Sequence, residues 1–224
     1  MIYTDYSNLF KYKTDNFFSY ITNANPVYNS DSTLKQLIAQ KKINSDRIAS
    51  CEQVHSDKVL FVKKPGIYKK LDGFVANCSD NLILKIQTAD CVPISMYDHK
   101  AQLIGLIHSG WRGSKNNICI NGLELFLKNG ADIKDIQILL GPSIKKCCYE
   151  IKDDVSKQFD DKYIIKNKNH QFLDIESKII DDLLLYGIKK NNIYNSNVCT
   201  YESEKCYSYR RAKDKGRMYS VLGN

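Results

Sequence analysis

The segment Gln87–Lys115, which reads QTADCVPISMYDHKAQLIGLIHSGWRGSK, carries two residues with metal-binding side chains beside strongly apolar runs. Cys91 stands between two such runs, and His108 is the last residue of the most apolar one. Short apolar runs bounded by turn residues are typical of β-strands. Because functional sites are commonly built where strands end, the segment predicts strands whose ends carry a candidate site.

A third metal-binding side chain, His55, lies upstream in a polar turn between the two apolar runs of SCEQVHSDKVLFV. The separations of His55, Cys91 and His108 match no local zinc motif such as CxxC or HxxxH. Taken singly, a cysteine beside apolar residues is most often packed in a core, and a histidine at a strand end most often forms hydrogen bonds. From the residues alone, a shared metal is therefore one hypothesis beside these simpler ones.

The rest of the chain alternates short apolar runs with helical patterns and contains no repeat or low-complexity linker. We predict one mixed α/β domain over residues 1–224, with helices covering sheets. The predicted helices are Thr33–Lys42, Ser114–Lys128, Asp153–Phe159 and Ile175–Tyr186, the last capped by Asp174 and ended by Gly187. The predicted strands are Asn16–Ile21, Arg47–Val54, Lys58–Val62, Leu82–Gln87, Val92–Tyr97, Ala101–His108, Ile136–Leu140, Ile193–Cys199, Tyr207–Arg211 and Arg217–Leu222.

Composition is that of a globular protein, with 43% hydrophobic and 26% charged residues. No apolar run approaches the roughly 18 residues that span a bilayer, and the N-terminus lacks the layout of a signal peptide. We therefore expect a cytoplasmic protein with no membrane partner, whose eight cysteines are free thiols or metal ligands. The net charge of +8 comes from dispersed lysines, which argues against nucleic acid as a partner and favours anionic small molecules.

Several polar residues of the C-terminal half are open to more than one interpretation. Cys147, Cys148, Cys199 and Cys206 are candidates for a second metal site, but their spacing lacks a paired-ligand pattern and we do not predict one. A cluster of three arginines near the C-terminus contains either anion ligands or solvated surface residues: Arg210, Arg211 and Arg217.

Nine motifs, in order from about residue 50 to the C-terminus, resemble the bacterial YfiH-type family: EQVHSD, LDGFV, TADCVPI, IHSGWRGS, ILLGPSIKKCCYEI, FLDI, NVCT, YSYRR and GRMYS. The pair TADC-x-P and H-[AS]-GWRG is specific to it. The family is also described as laccase-domain or multicopper polyphenol oxidase proteins, and as purine nucleoside phosphorylases. The resemblance implies a four-layer α/β/β/α sandwich related to a group of Cys-His hydrolases.

The resemblance also implies a catalytic zinc ion held by His55, Cys91 and His108. It implies phosphorolysis of adenosine, inosine and guanosine to free base and ribose 1-phosphate, with adenosine deamination as a companion activity. The partners would then be a purine nucleoside and phosphate. Three protein ligands suit this chemistry, because they leave zinc with one open position.

Residues near these ligands suit the other requirements of the reaction. The turn that contains Ser109 and Gly110 offers backbone amides to phosphate at a helix start, and Arg112 adds bidentate contact. The same residues are equally explained as a turn that only connects the strand to the helix. Asp90 is a catalytic candidate, either orienting a ligand histidine or carrying a proton, or else a turn residue. Arg210 is a further candidate phosphate ligand.

One departure from the family and several alternatives stay open. FFSYITNAN stands where family members usually carry an STR-x-GG-like segment, so the missing arginine puts activity in question. In one alternative Cys91 is the nucleophile of a hydrolase with His108 or His55 as base, and peptidoglycan-precursor editing is a related possibility. A structural metal with a fourth protein ligand would indicate a binding module. Copper oxidase chemistry is less favoured, because several copper centres need more imidazoles than four histidines supply.

Overall fold

The computed structural model describes residues 2–5, 9–13, 17–22, 24, 35, 38–39, 44–213 and 216–224. Its strands are β1 (Ile2–Asp5), β2 (Leu9–Lys13), β3 (Phe18–Thr22), β4 (Ile48–Cys51), β5 (Val59–Phe61), β6 (Gly66–Tyr68), β7 (Gly73–Asn77), β8 (Ile83–Thr88), β9 (Val92–Asp98), β10 (Leu103–Ser109), β11 (Gln137–Leu140), β12 (Glu150–Ile151), β13 (Ile164–Asn167), β14 (His170–Leu173), β15 (Ile193–Asn195) and β16 (Met218–Gly223). The α-helices are α1 (Trp111–Lys115), α2 (Ile118–Lys128), α3 (Asp153–Ser156), α4 (Ile175–Tyr186) and α5 (Tyr209–Ala212). Short 3-10 turns occur at Ser45–Arg47, Cys78–Asp80, Asp161–Tyr163 and Lys190–Asn192.

Two large mixed sheets form the inner layers. One has the strand order β1-β2-β3-β16-β8-β4-β6, and the other has the order β15-β11-β9-β10-β7-β5. Buried side chains from both sheets meet between them in a single apolar cluster, which includes Leu84, Ile86, Phe74, Ala76 and Leu106. The sheets therefore pack face to face, as the sandwich prediction requires.

Helices α2 and α4 cover the outer face of the six-stranded sheet. Leu123 and Phe126 of α2 and Ile179 of α4 share a second buried cluster with strands of that sheet. Strand β10 contributes to both clusters, since Leu103 and Ile107 point toward the helices while Ile104 and Leu106 point toward the other sheet. This burial on both faces explains why its sequence is the most apolar run of the chain.

Most of the predicted helix Thr33–Lys42 lies outside the described residues. Of that segment, Lys35, Ile38 and Ala39 are helical. Ile38 packs against an apolar cluster of the seven-stranded sheet that contains Ile83 and Val221. The predicted α/β class and the layer order α/β/β/α are therefore confirmed.

Two element predictions were wrong in an informative way. Residues 209–212 are helical, not part of a strand Tyr207–Arg211, because the Ser208 hydroxyl caps the turn by accepting the Arg211 amide at 3.1 Å. The predicted helix Ser114–Lys128 begins earlier, at Trp111, and is divided in two. Asn117 adopts a left-handed conformation with φ of 58° between α1 and α2.

Other predicted elements exist but are shorter, and several were missed. The observed strands β4 and β5 are shorter than the predicted Arg47–Val54 and Lys58–Val62. Likewise β15 is shorter than the predicted Ile193–Cys199, and α3 is shorter than the predicted Asp153–Phe159. The hairpin β13–β14 was missed because its apolar residues form adjacent pairs, Ile164-Ile165 and Phe172-Leu173, and so do not alternate with polar ones. All eight cysteines are free, as expected. Within the described part of the chain, no helix has the length and apolar character needed to cross a membrane.

Candidate active site

Strand register places the predicted ligands at one edge of the six-stranded sheet. In the antiparallel pair β9–β10, Val92 lies opposite Ser109, so Cys91 and Gly110 are the next residues beyond the last pair. In the antiparallel pair β7–β10, Gly73 lies opposite Ile107. His108 therefore lies beside Asp72, and its amide donates to the Asp72 carbonyl at 2.7 Å.

His55 reaches the same edge from the turn that precedes β5. This turn is held by the carboxylate of Asp72, which accepts the amides of Val54 at 3.2 Å, His55 at 3.0 Å and Ser56 at 2.6 Å. The Ser56 hydroxyl donates to the same carboxylate at 2.8 Å. His55 itself has a left-handed backbone with φ of 58°, so these bonds fix a turn that the residue adopts less readily by itself.

The three predicted ligands meet in space. One ligand atom each from His55, Cys91 and His108 lies within 4.8 Å of the other two. The two imidazole rings are 4.9 Å apart between centroids and nearly perpendicular, at 79°. His108 is buried, Cys91 is half-buried and His55 is exposed, so the group lies at the floor of an opening. Its two imidazoles and one thiol are a donor set suited to a metal ion such as zinc.

The described residues add no fourth histidine, cysteine or carboxylate to this group. Structural zinc is almost always held by four protein ligands, whereas catalytic zinc keeps a position open. The geometry therefore argues against the alternative of a binding module with a structural metal at this site.

Asp72 is the functional residue that sequence reasoning missed. Its Oδ1 lies 2.8 Å from Nδ1 of His108, and the carboxylate is completely buried. A carboxylate on one imidazole nitrogen fixes the ring and leaves the other nitrogen for a metal. The available signal was its place in LDGFV, one of the motifs that carry the resemblance to the YfiH-type family.

Electrostatics couple the three polar groups. Burial opposes ionisation of Cys91, but the two nearby histidines outweigh it and lower the pKa of the thiol to about 6. Burial likewise disfavours a charged His108, but the Cys91 thiolate and Asp72 outweigh it and raise its pKa to about 9. For Asp72, hydrogen bonds from His108 and Ser56 overcome burial and lower the pKa to about 2. A metal that binds here must displace the proton of His108.

A glycine is needed at position 110 because neighbouring side chains leave no room for a Cβ atom, and not because of its backbone angles. A Cβ atom at this position would lie 3.0 Å from Cδ2 of His55 and 3.2 Å from the Cys91 sulfur. Both distances are shorter than ordinary van der Waals contacts, so any side chain here would push two of the ligands.

A cavity of about 580 Å³ opens above the ligands. This volume is typical of a pocket for a small organic molecule. Its wall combines three arginines with aromatic and apolar side chains, and the lining residues besides the ligands are Gln53, Gln87, Thr88, Ala89, Asp90, Gly110, Trp111, Arg112, Ile144, Tyr149, Ile175, Tyr209, Arg210 and Arg217. The arginines make it suited to an anionic ligand. Sequence reasoning gave no signal for Tyr149, Ile175 and Tyr209, which come from distant segments.

The predicted phosphate ligands differ in their placement. Arg112 lines the cavity and stacks on Trp111, with 4.3 Å between the guanidinium carbon and the ring centroid. Arg210 also lines it, lies 5.5 Å from the Tyr149 ring centroid and donates to the Glu150 carbonyl. Ser109 is completely buried, and its hydroxyl pairs with that of Ser114 at 2.7 Å. A phosphate contact by the Ser109 side chain is therefore not supported.

Asp90 lines the cavity but does not contact a ligand histidine, as one of its predicted roles required. Its backbone has a φ of 85°, and its two carboxylate oxygens accept the Thr200 hydroxyl and the Arg210 amide, both at 2.7 Å. The role of orienting His108 thus belongs to Asp72. Asp90 instead joins the strand-end turn to the C-terminal segment that carries Arg210, and proton transfer by it stays a prediction.

Comparison with known proteins gives consistent results. The model of the family described as multi-copper polyphenol oxidoreductase laccase matches residues 25–224. A purine nucleoside phosphorylase of Borreliella burgdorferi is 35% identical over 184 residues, which is 80% of each chain. One of Deinococcus radiodurans is 31% identical over 193 residues, or 84% of this chain and 74% of its own.

Solved structures also resemble this fold. The hypothetical protein YfiH of Bacillus licheniformis superimposes with a TM-score of 0.90 at 22% identity, covering 99% of this chain and 98% of its own. YlmD of Geobacillus stearothermophilus gives the same TM-score and identity, covering 100% of this chain and 98% of its own. At this level of identity the likeness concerns the fold.

Proposed function

We propose that this chain, which belongs to the family described as multi-copper polyphenol oxidoreductase laccase, is a zinc-dependent purine nucleoside phosphorylase. Adenosine, inosine or guanosine would react with phosphate to give free base and ribose 1-phosphate, with adenosine deamination as a companion activity. One observation carries the proposal: His55, Cys91 and His108 converge beneath a cavity whose wall holds three arginines. The names of the relatives support the substrate class.

The choice of zinc follows from the ligand types. Mixed nitrogen and sulfur ligands suit zinc, and a set of three keeps one position free. When bound, zinc supplies Lewis acidity toward a substrate oxygen or a water molecule. Several copper centres would need more imidazoles. His99 lies in the turn between β9 and β10, and His170 bonds Glu150, so neither joins the two histidines of the site.

The residues of the wall have separate tasks in phosphorolysis. An oxygen of hydrogen phosphate forms a bond to the ribose C1′ atom while the bond from C1′ to the base nitrogen breaks. The electron pair and the phosphate proton end on the base, so charge and atoms balance. Arg112, Arg210 and Arg217 supply positive charge for the phosphate, and Trp111 and Tyr149 supply ring surfaces for the base.

The test is product analysis with and without phosphate. Purified, zinc-loaded protein is incubated with inosine or adenosine, and the products are separated by chromatography. We expect free base and ribose 1-phosphate only when phosphate is present, and some inosine from adenosine without phosphate. Cys91→Ala should abolish both activities, whereas Cys78→Ala, which removes a buried thiol elsewhere, should not. Base release by Cys91→Ala at the parent rate would remove Cys91 from the mechanism.

A second candidate keeps Cys91 free as a nucleophile. The order of thiol, imidazole and carboxylate in Cys91, His108 and Asp72 resembles the arrangement of an activated cysteine. Such an enzyme would be a hydrolase, for example an amidase that edits peptidoglycan precursors. Stoichiometric zinc at this site would rule it out, because one thiolate can hardly serve as both ligand and free nucleophile.

A further inference from the structure

We propose that Cys147, Cys148, Cys199 and Glu202 form a second zinc site, separate from the first and structural in character. One ligand atom from each of the four lies within 4.8 Å of the others. Sequence analysis named Cys147, Cys148 and Cys199 as candidates but did not predict a site, because their spacing lacks a paired-ligand pattern. Cys206, which we had grouped with these cysteines, is outside the cluster, and Glu202 takes its place.

The distances fit tetrahedral coordination. The sulfurs of Cys147 and Cys199 are 3.8 Å apart. With zinc–sulfur bonds of about 2.3 Å, tetrahedral geometry puts neighbouring sulfurs about 3.8 Å apart. The sulfurs of the adjacent residues Cys147 and Cys148 are 3.1 Å apart, so this pair must open slightly to share an ion. The four donors complete a closed shell of the structural type.

Backbone hydrogen bonds hold the two ligand-bearing segments in place. Cys148 follows a tight turn in which its own amide and that of Tyr149 both donate to the Lys145 carbonyl at 2.9 Å. Cys199 forms an isolated parallel bridge with Ser143, supported by the Thr200 amide bonded to the Ser143 carbonyl at 3.0 Å. The thiols are therefore brought together by the fold and not by a local motif.

Arg211 stabilises the segment that carries the remaining ligand. Its guanidinium donates to the carbonyls of Thr200 at 2.9 Å, Tyr201 at 2.8 Å and Ser203 at 3.1 Å, which lie on both sides of Glu202. Three thiolates and a carboxylate around a divalent ion leave a surplus of negative charge. A bound guanidinium beside them offsets part of that surplus. Cys147 and Glu202 are exposed, so an ion can enter from solvent.

The site would brace one wall of the cavity. Tyr149, next to Cys148, lies against Arg210, and Thr200, next to Cys199, donates to Asp90. Tying the two segments together would keep these contacts in place. We therefore expect loss of the second ion to weaken substrate binding while the first site stays loaded.

The experiment counts metal ions and thiols in the same samples. Protein is produced with added zinc and purified anaerobically with reductant, and zinc per chain is measured by inductively coupled plasma mass spectrometry. We expect two zinc ions in the parent, one in Cys147→Ser, one in Cys199→Ser and one in Cys91→Ala. Cys206→Ser is the matched control and should keep two. Cys147 is exposed, so its substitution tests the site without disturbing the core.

Cobalt identifies the ligands. Metal-free Cys91→Ala reconstituted with Co²⁺ alone should show thiolate-to-cobalt charge transfer and tetrahedral ligand-field bands, and both should vanish when Cys199→Ser is added. A parent protein with one zinc ion that is lost in Cys91→Ala and kept in Cys199→Ser overturns the proposal, whether intact mass shows eight free thiols or a disulfide among these cysteines. The proposal does not rest on phosphorylase activity, so a failed nucleoside assay leaves the metal count untouched.

Discussion

The Nδ1 atom of His108 lies 2.8 Å from the Oδ1 atom of Asp72, and both side chains are buried. The same carboxylate accepts the backbone amide of His55 at 3.0 Å. One buried aspartate thus positions both histidines, one through its ring and the other through its turn. Asp72 therefore controls the shape of the site without being one of the three predicted ligands.

Asp72→Asn should weaken zinc binding at the first site. The amide keeps the size of the side chain but loses its charge and one acceptor oxygen. Loss of such a supporting partner typically weakens metal affinity by about 10- to 100-fold. Competition with a chromogenic chelator measures this directly, and activity should recover when zinc is raised.

Asp98→Asn is the matched control for Asp72→Asn. Asp98 is equally buried and accepts the amides of Lys100 at 2.8 Å and Ala101 at 3.0 Å in the turn between β9 and β10. Asp72→Asn should lose about 1–3 kcal/mol of unfolding free energy, since both of its carboxylate oxygens accept hydrogen bonds. Asp98→Asn should lose less, because only Oδ1 of Asp98 accepts hydrogen bonds from the turn. Only Asp72→Asn should change zinc affinity; an equal change in both would reduce Asp72 to a stability residue.

Gly110→Ala should impair zinc binding more than folding. The added methyl group meets His55 and Cys91 at 3.0 and 3.2 Å, so relief of the clash moves one of the ligands. Gly122→Ala provides the comparison, because its Cβ would meet Cδ1 of Ile107 at 2.4 Å in the core. We expect Gly122→Ala to melt at lower temperature but to retain zinc. We expect Gly110→Ala to lose zinc with little change in melting temperature.

The sequence predicts the parts of this site that are carried by strands. The apolar runs on either side of Cys91 locate β8 and β9, the run that ends at His108 locates β10, and the turn residues locate the strand ends. The role of Asp72 is harder to predict, because it depends on the register between β7 and β10, and a one-residue shift would move it away from His108. A buried acidic residue has no periodic signature of its own.

Three cysteines of the second cluster were named from the sequence, but the site itself was not predicted, for a related cause. The segments that carry Cys147 and Cys199 are held together by the parallel bridge between Ser143 and Cys199, which lie more than fifty residues apart in the chain. Zinc motifs are recognisable in sequence when two ligands share one turn. Here only the adjacent pair Cys147-Cys148 is local, and its close spacing lacks the usual intervening residues.

Arg112→Ala should raise the KM for phosphate. The guanidinium faces the cavity and is held on the Trp111 ring, so its removal takes away a positioned positive charge. A charge-assisted contact to phosphate is worth about 1.5–3 kcal/mol, which corresponds to roughly a 10- to 150-fold change. Lys115→Ala is the control, since Lys115 is an exposed cation of the same helix that bonds Gln158 and does not line the cavity. Equal KM values in both variants would contradict a phosphate role for Arg112.

Alkylation should distinguish Cys91 from Cys51 in protein treated with chelator. Both thiols are half-buried, but burial and the nearby Asp72 raise the pKa of Cys51 to about 12, whereas the histidines lower that of Cys91 to about 6. The reactive form is the thiolate, which at pH 8 is nearly complete for Cys91 and on the order of one in ten thousand for Cys51. Iodoacetamide should therefore modify Cys91 first.

The pH dependence of the alkylation rate tests whether the pKa of the Cys91 thiol is lowered. Because deprotonation produces the reactive form, the Cys91 alkylation rate should be constant above neutral pH and fall as the pH drops through about 6. Peptide mass spectrometry at several pH values measures both cysteines in one digest. Added zinc should protect Cys91 and leave Cys51 unchanged, since only Cys91 belongs to the ligand group. A midpoint near the ordinary thiol pKa would show that the histidines do not act on Cys91 in solution.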